Sequence, residues 1–201
     1  MEMGHTASST ATVTFTFSGA STTRTWEIKA TQIPCGASYG PPDGCLQYHT
    51  GLTGRITTFN FLETTTPQHL ALQEYSICVR PEMGYCCVQY SVCSDTNSWT
   101  IHEDDGTAIS AGKTDTDCSL DFISIAGASG VCTPGANVLR SKFCGTFINP
   151  VTAGAKNEPV CDCNAPFTVG VHTDNTADTA MAAMLSTNRG VCLEYNQIPC
   201  Q

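Results

Sequence analysis

Acidic side chains crowd one stretch of the sequence, and a further aspartate lies in a later turn. They are Asp95, Glu103, Asp104, Asp105, Asp115, Asp117 and Asp121, with Asp174 in the segment HTDNT. Carboxylates on flexible loops suit calcium, a hard cation that takes oxygen ligands. A solvated acidic loop has the same composition. On these residues alone, both interpretations stay open.

The nearest match to a catalytic motif is GASYG at residues 36–40, which fits the G-x-S-x-G pattern around Ser38. That motif requires a turn from a strand into a helix. Pro41 and Pro42 follow at once, so no helix can begin where the motif needs one. The five histidines are isolated from one another in the sequence. We therefore predict that the protein is not an enzyme.

Cysteine is far more frequent than in an ordinary globular chain, with thirteen cysteines in 201 residues. No pair has the C-x2-C spacing typical of zinc sites. Structural disulfides in an oxidising, extracellular compartment are the better interpretation. The odd count leaves at least one thiol over, or one intermolecular disulfide. Cys86 and Cys87 point to opposite faces of a strand and should serve different partners, so one of them is the best candidate for the leftover thiol.

Charge and hydropathy exclude several classes of partner. The net charge is −9 and the nine basic residues are scattered singly, which disfavours nucleic acid and anionic membranes. No stretch approaches the roughly 18 apolar residues of a membrane helix. The opening MEMGHTASST lacks the basic and apolar regions of a signal peptide. We expect residues 1–11 to be disordered or tag-like, and the signal peptide of a secreted protein to be absent from this chain.

Apolar and polar residues alternate with period two along most of the chain. Examples are ATVTFTFSG, GRITTFNFL, EYSICVR, YCCVQYSVC, LDFISIAG and PFTVGVHTD. Only TADTAMAAMLS, residues 176–186, has a helical composition. Eight or more short strands in a single domain over residues 12–201 predict an all-β antiparallel sandwich or barrel with at most one short helix.

One pentapeptide occurs almost twice: TQIPC at residues 31–35 returns as NQIPC at residues 196–200. Before the first copy, Trp26, Ile28 and Ala30 fall on one face, and Val191, Leu193 and Tyr195 do so before the second. Only Gln201 follows the second copy, so a two-copy repeat is not expected. Each segment predicts a strand that ends at its proline, Pro34 or Pro199.

Six segments, taken in order, resemble a CUB domain, specifically the cysteine-rich CUB-like domains common in arthropod secreted proteins. They are Cys35-Gly36, YSICVRPEMGYCCVQY, CSLDFISI, FCG, VHTDNT and RGVCLEY. The resemblance spans roughly residues 12–200. It implies an antiparallel jelly-roll β-sandwich.

The same resemblance implies specific site residues. The family's two disulfides correspond to Cys35 with Cys78 and to Cys118 with Cys144, although Cys45 competes for Cys35. Many CUB domains bind calcium through a Glu, the Asp of a Cys-x-x-Asp strand and the Asp of a Ser-Asp-x-Ser loop. Asp121 and Asp174 match the two aspartates. The Glu has no clear counterpart, and Asp95 is the nearest candidate by position.

We therefore expect a secreted, non-catalytic module with calcium as its candidate cofactor. It would bind an extracellular protein or a glycan through loops at one end of the sandwich, without inserting into a membrane. One alternative is a structural component of an extracellular matrix, cross-linked through leftover cysteines. Another is an accessory domain of a larger protein, such as a secreted protease.

Overall fold

The computed structural model describes most of the chain beyond residue 38. The described residues are 10, 12–16, 25–34, 36–37, 39–61, 69–101, 111–136, 138–175 and 189–200. The chain forms two compact units, Met1–Gly40 and Pro41–Gln201. The single domain predicted over residues 12–201 stays a prediction.

The second unit is built from β-strands, eleven of them within its described residues. They are β1 Cys45–His49, β2 Thr53–Thr57, β3 Glu74–Val79, β4 Tyr85–Val92, β5 Trp99–Thr100, β6 Gly112–Thr114, β7 Phe122–Ala128, β8 Arg140–Gly145, β9 Val160–Asp162, β10 Phe167–His172 and β11 Gly190–Pro199. One sheet has the order β1-β3-β10-β7-β8-β6, and the other has the order β2-β11-β4-β9, with β5 paired to β11. Apart from the parallel pair β1–β3, the pairings are antiparallel.

Alternating side chains explain how the two sheets enclose a core. In β10, Phe167, Val169 and Val171 are buried while the residues between them are partly exposed. Ile123 and Ile125 of β7 do the same one strand away. The core is completed from the second sheet by residues such as Tyr90 and Leu193. The predicted all-β, disulfide-rich sandwich is confirmed, and no described helix is long and apolar enough to cross a membrane.

Two sequence expectations about the N-terminal unit differ from the structure. Residues 12–16 and 25–34 lie outside any strand, although both alternate in the way that predicted one. A strand needs a hydrogen-bonded neighbour as well as a pattern, and the pattern alone does not supply one. The helix expected at residues 176–186 lies outside the described residues.

Six disulfides join twelve of the thirteen cysteines. The pairs are Cys45–Cys78, Cys86–Cys200, Cys87–Cys163, Cys93–Cys192, Cys118–Cys144 and Cys132–Cys161. Cys118–Cys144 is the pair that the sequence predicted. The predicted Cys35–Cys78 pair is wrong, because β1 lies beside β3 and brings Cys45 to within 5.7 Å of Cys78 between Cα atoms. Cys35 itself lies outside the described residues.

The adjacent cysteines of β4 correct a second expectation. Neither is left over, because β4 has a strand on each side. Cys86 bonds to Cys200 at the end of β11, and Cys87 bonds to Cys163 just after β9. The expectation that the two cysteines serve different partners is confirmed.

Candidate functional site

The two predicted aspartates come together at one end of the first sheet. In the sheet, Glu74 at the start of β3 lies opposite His172 at the end of β10, and His172 lies opposite Phe122 at the start of β7. Asp121 immediately precedes β7, and Asp174 follows β10 by two residues. Antiparallel pairing therefore places both aspartates at the same edge. We call this edge, with the segment His69–Gln73 that leads into β3, the site end.

Asp121 is a buried carboxylate, 2% exposed, that holds two segments of the site end together. Its Oδ1 accepts a hydrogen bond of 2.8 Å from the backbone N–H of Asp174. Its Oδ2 lies 3.1 Å from Nε2 of His69, and both side chains are almost fully enclosed. A carboxylate removed from water needs such partners, because an unpaired buried charge is costly. Asp121 is thus a structural anchor between residue 69 and the turn after β10.

The segment His69–Gln73 is fixed to that turn by further hydrogen bonds. The backbone N–H of Leu72 donates to the carbonyl of Asp174 at 2.6 Å. Thr173 accepts from the N–H of Gln73 at 2.9 Å and donates its hydroxyl to the carbonyl of Leu70 at 2.8 Å. Residues 69–73 and 173–174 therefore form one ordered surface around Asp121.

Leu72 has an unusual backbone within this surface. Its φ of +55° lies in the left-handed region, which a leucine adopts only at a cost of about 1–2 kcal/mol. Leu72 is 73% exposed, and Leu70 of the same segment is exposed as well. Strained backbone is concentrated at binding and functional sites, which makes this segment a candidate contact surface.

Next to the site end, polar and aromatic side chains form a row on the outer face of the first sheet. We call His172, Phe122 and Lys142 the aromatic row. His172 forms an ion pair with Glu74. The Phe122 ring stacks on His172 with ring centroids 4.6 Å apart, and the ammonium of Lys142 lies 4.2 Å from the Phe122 centroid. Charged groups and a partly buried aromatic ring thus lie along the strands that meet at the site end.

Asp95, the third predicted ligand, lies elsewhere. Its carboxylate forms an ion pair with Arg55 of β2, and both side chains are partly exposed. Asp95 follows β4 in the other sheet, whereas Asp121 and Asp174 belong to the first. Among the described residues, no three His, Cys, Asp or Glu side chains are grouped as metal ligands.

The described donors at the site end do not by themselves fit calcium. Calcium takes six to eight oxygen ligands, and the described residues of this edge supply the carboxylates of Asp121 and Asp174 and that of Glu74, which is paired with His172. Of these, Asp121 already accepts hydrogen bonds or ion contacts on both oxygens. An imidazole nitrogen, which is not a ligand that calcium favours, occupies the position beside Oδ2.

Sequence reasoning missed two residues of the site end, His69 and Leu72. His69 is isolated from the other histidines in the sequence, but in the fold its Nε2 lies 3.1 Å from Oδ2 of Asp121, 52 positions away. No local motif marks either residue. Ser38, the candidate nucleophile, lies outside the described residues.

The chain is similar to a known family in its sequence and to known structures in its fold. A model of the animal CUB domain family matches residues 42–198. The CUB1-EGF-CUB2 region of human MASP-1/3 is similar at 18% identity and a TM-score of 0.44, covering 77% of this chain and 42% of that chain. The MASP-1 CUB2 domain bound to Ca2+ is similar at 17% identity and a TM-score of 0.40, covering 76% of this chain and 98% of that chain. No curated protein sequence matches this chain.

Proposed function

Since the chain belongs to the animal CUB domain family, we propose that it is an extracellular, non-catalytic module that binds another protein through the site end. The observation that carries the proposal is the exposed, strained Leu72, held in place by Asp174 and by the buried Asp121–His69 pair. CUB domains generally mediate protein interactions, so the family supports a binding role. The dense disulfides support an oxidising, extracellular location.

The chemistry of the site end indicates what partner it suits. Leu70 and Leu72 offer apolar contact, and Glu74, whose carboxylate is paired with His172 and whose side chain is 79% exposed, is an acidic group at the same edge. A protein surface with an apolar side chain flanked by lysine or arginine complements this pattern. A glycan would instead contact the aromatic row at Phe122. Capture of a glycan rather than a protein is an alternative outcome of the experiment described next.

Capture from extracellular fluid with the immobilised chain tests the proposal. We expect the wild type and Met83→Ala to retain the same partner, because Met83 is 99% exposed in the turn between β3 and β4, away from the site end. Leu72→Asn removes the apolar side chain while asparagine tolerates the left-handed backbone. It should lose the partner. Equal retention by all three proteins would contradict the proposed surface.

Calcium binding is a second proposal, favoured by the adjacency of Asp121 and Asp174. The remaining ligands would have to come from water or from residues outside the described ranges, and the ion would have to displace His69 from Asp121. Extracellular modules bind calcium at roughly 10⁻⁴ to 10⁻³ M. Isothermal titration of the wild type should therefore show heat in that range that is lost in Asp121→Ala and Asp174→Ala. No heat in the wild type at millimolar calcium would refute calcium binding and leave the protein-binding proposal intact.

The third candidate function is that of a matrix component cross-linked by disulfides. The odd number of cysteines favours it. The six disulfides leave Cys35 as the thirteenth cysteine. An intermolecular disulfide would therefore use Cys35. Electrophoresis of native material without reductant should then show a covalent oligomer that Cys35→Ser abolishes. A monomer in both cases would exclude this role.

A further inference from the structure

Residues 25–35 repeat the last strand of the domain position by position. TWEIKATQIPC aligns with GVCLEYNQIPC at residues 190–200 without a gap. Trp26 and Ile28 correspond to Val191 and Leu193, and Gln32 corresponds to Gln197. The first copy precedes the domain in which the second copy forms the last described strand, β11.

The repeated apolar positions have opposite environments in the two segments. In β11, Val191 and Leu193 are buried, because β11 lies between β2 and β4. Trp26 and Ile28 are 58% and 56% exposed. A side chain of this size gains about 1.5–3 kcal/mol when fully buried. Residues 25–34 therefore carry the side chains of a central strand, outside any sheet.

The repeated glutamine is more specific than the apolar pattern. Gln197 is buried and joins two turns of the sandwich through three hydrogen bonds. Its amide nitrogen donates to the carbonyls of Gly51 and Arg80 at 2.9 and 2.8 Å, and its oxygen accepts from the N–H of Glu82 at 2.9 Å. A glutamine at this position requires a β1–β2 turn and a β3–β4 turn of the same design. Gln32 is exposed in the N-terminal unit.

The cysteine count is an independent indication. Cys200, which closes the second copy, is bonded to Cys86 on the neighbouring strand β4. Cys35 closes the first copy, and the other twelve cysteines are already paired among themselves. The cysteine that corresponds to the partner of Cys200 is therefore Cys86 or its counterpart in another sandwich, and Cys86 is already bonded.

We propose that residues 25–35 are the last strand of a second CUB-like sandwich, into whose sheet they insert as β11 inserts between β2 and β4. The preceding segment supports this, since Val13 and Phe15 alternate as in β10, and the Phe15 ring stacks on Trp26 with centroids 5.2 Å apart. The family match begins at residue 42, directly after the repeated segment. Glu27 stands where β11 has Cys192, so the second sandwich lacks a counterpart of the Cys93–Cys192 disulfide. The inference is independent of the partner bound at the site end.

Disulfide mapping of the native protein, isolated from its tissue without reductant, tests the covalent part. We expect the peptide containing Cys35 to be linked to a cysteine in a segment that resembles β4 and lies in another CUB-like sequence. A Cys35–Cys35 dimer, a free Cys35 thiol or a bond to an unrelated protein would each overturn the proposal.

Hydrogen exchange compares the native protein with the 201-residue chain produced alone. Amides of residues 25–34 should be protected in the native protein, where the second sandwich is present, and should exchange rapidly in the isolated chain. Rapid exchange in both would indicate a plain tail. Protection in both would indicate docking on the chain's own domain. Either result would overturn the proposal.

Discussion

The Asp121–His69 pair is the residue-scale feature on which the site end depends. Breaking a buried pair leaves an uncompensated charge, which typically costs about 3–5 kcal/mol. We expect His69→Ala to lower the free energy of unfolding by about 3 kcal/mol. The exposed pair His172–Glu74 is the matched control, because exposed pairs contribute about 0–1 kcal/mol. Urea unfolding of His69→Ala and His172→Ala measures both, and equal losses would contradict the anchoring role of His69.

The buried carboxyl group of Asp162 in β9 should make the stability of the protein depend on pH. Burial raises the pKa of its carboxyl to about 6, although the N–H of Asn164 donates to it and opposes the shift. The folded state therefore holds this proton more tightly than the unfolded state, whose pKa is about 4. The stability contributed by the carboxyl is complete below pH 4 and is lost as the pH rises through about 6.

Asp162→Asn should remove this dependence because the amide is neutral and still accepts from Asn164. We expect the variant to be more stable than the wild type by about 1–2 kcal/mol at pH 7.5, after allowance for solvent screening, and equal to it at pH 4. The exposed Asp43→Asn is the control. A difference that is the same at both pH values would contradict the assignment.

At the scale of elements, alternation predicted most of the longer strands, including the edge strand β2, and missed the short strands β6 and β9. β3, β4, β7, β10 and β11 lie within segments that alternate. β6 and β9 have three residues each, too few for a pattern to be visible. Residues 25–34 have the pattern and lie outside any strand. The alternation of apolar residues indicates which face of a segment can be buried. Whether that face is buried depends on pairing with a neighbouring strand.

Which cysteines form disulfides also depends on which strands are neighbours. Cys45→Ser with Cys78→Ser should cost about 2–5 kcal/mol, the usual loss for a native disulfide in a small secreted domain. Cys35→Ser should leave the melting temperature of the isolated chain unchanged. Differential scanning calorimetry compares the two variants. A large loss from Cys35→Ser would restore the pairing expected from sequence.

At the scale of the whole molecule, the site was partly predictable. Two short motifs marked Asp121 and Asp174, and the antiparallel pairing of β7 with β10 makes them neighbours. His69 reaches them from a segment with no motif, through a contact that only the folded chain creates. The position of Asp95 after a strand predicts a ligand in the sequence, but that strand, β4, belongs to the other sheet. The order of the motifs thus predicted which end of the sandwich carries the site. Which residues form the site depends on tertiary contacts that the sequence does not show.

The central claim is that a protein partner contacts the site end through Leu72. The most direct measurement is the Kd of the captured partner for the wild type, Leu72→Asn and Met83→Ala, by biolayer interferometry. A buried apolar side chain of this size contributes about 1.5–3 kcal/mol, which corresponds to a Kd roughly 10- to 150-fold weaker for Leu72→Asn. Met83→Ala should bind like the wild type. An unchanged Kd for Leu72→Asn, or an equal loss in Met83→Ala, would contradict the claim.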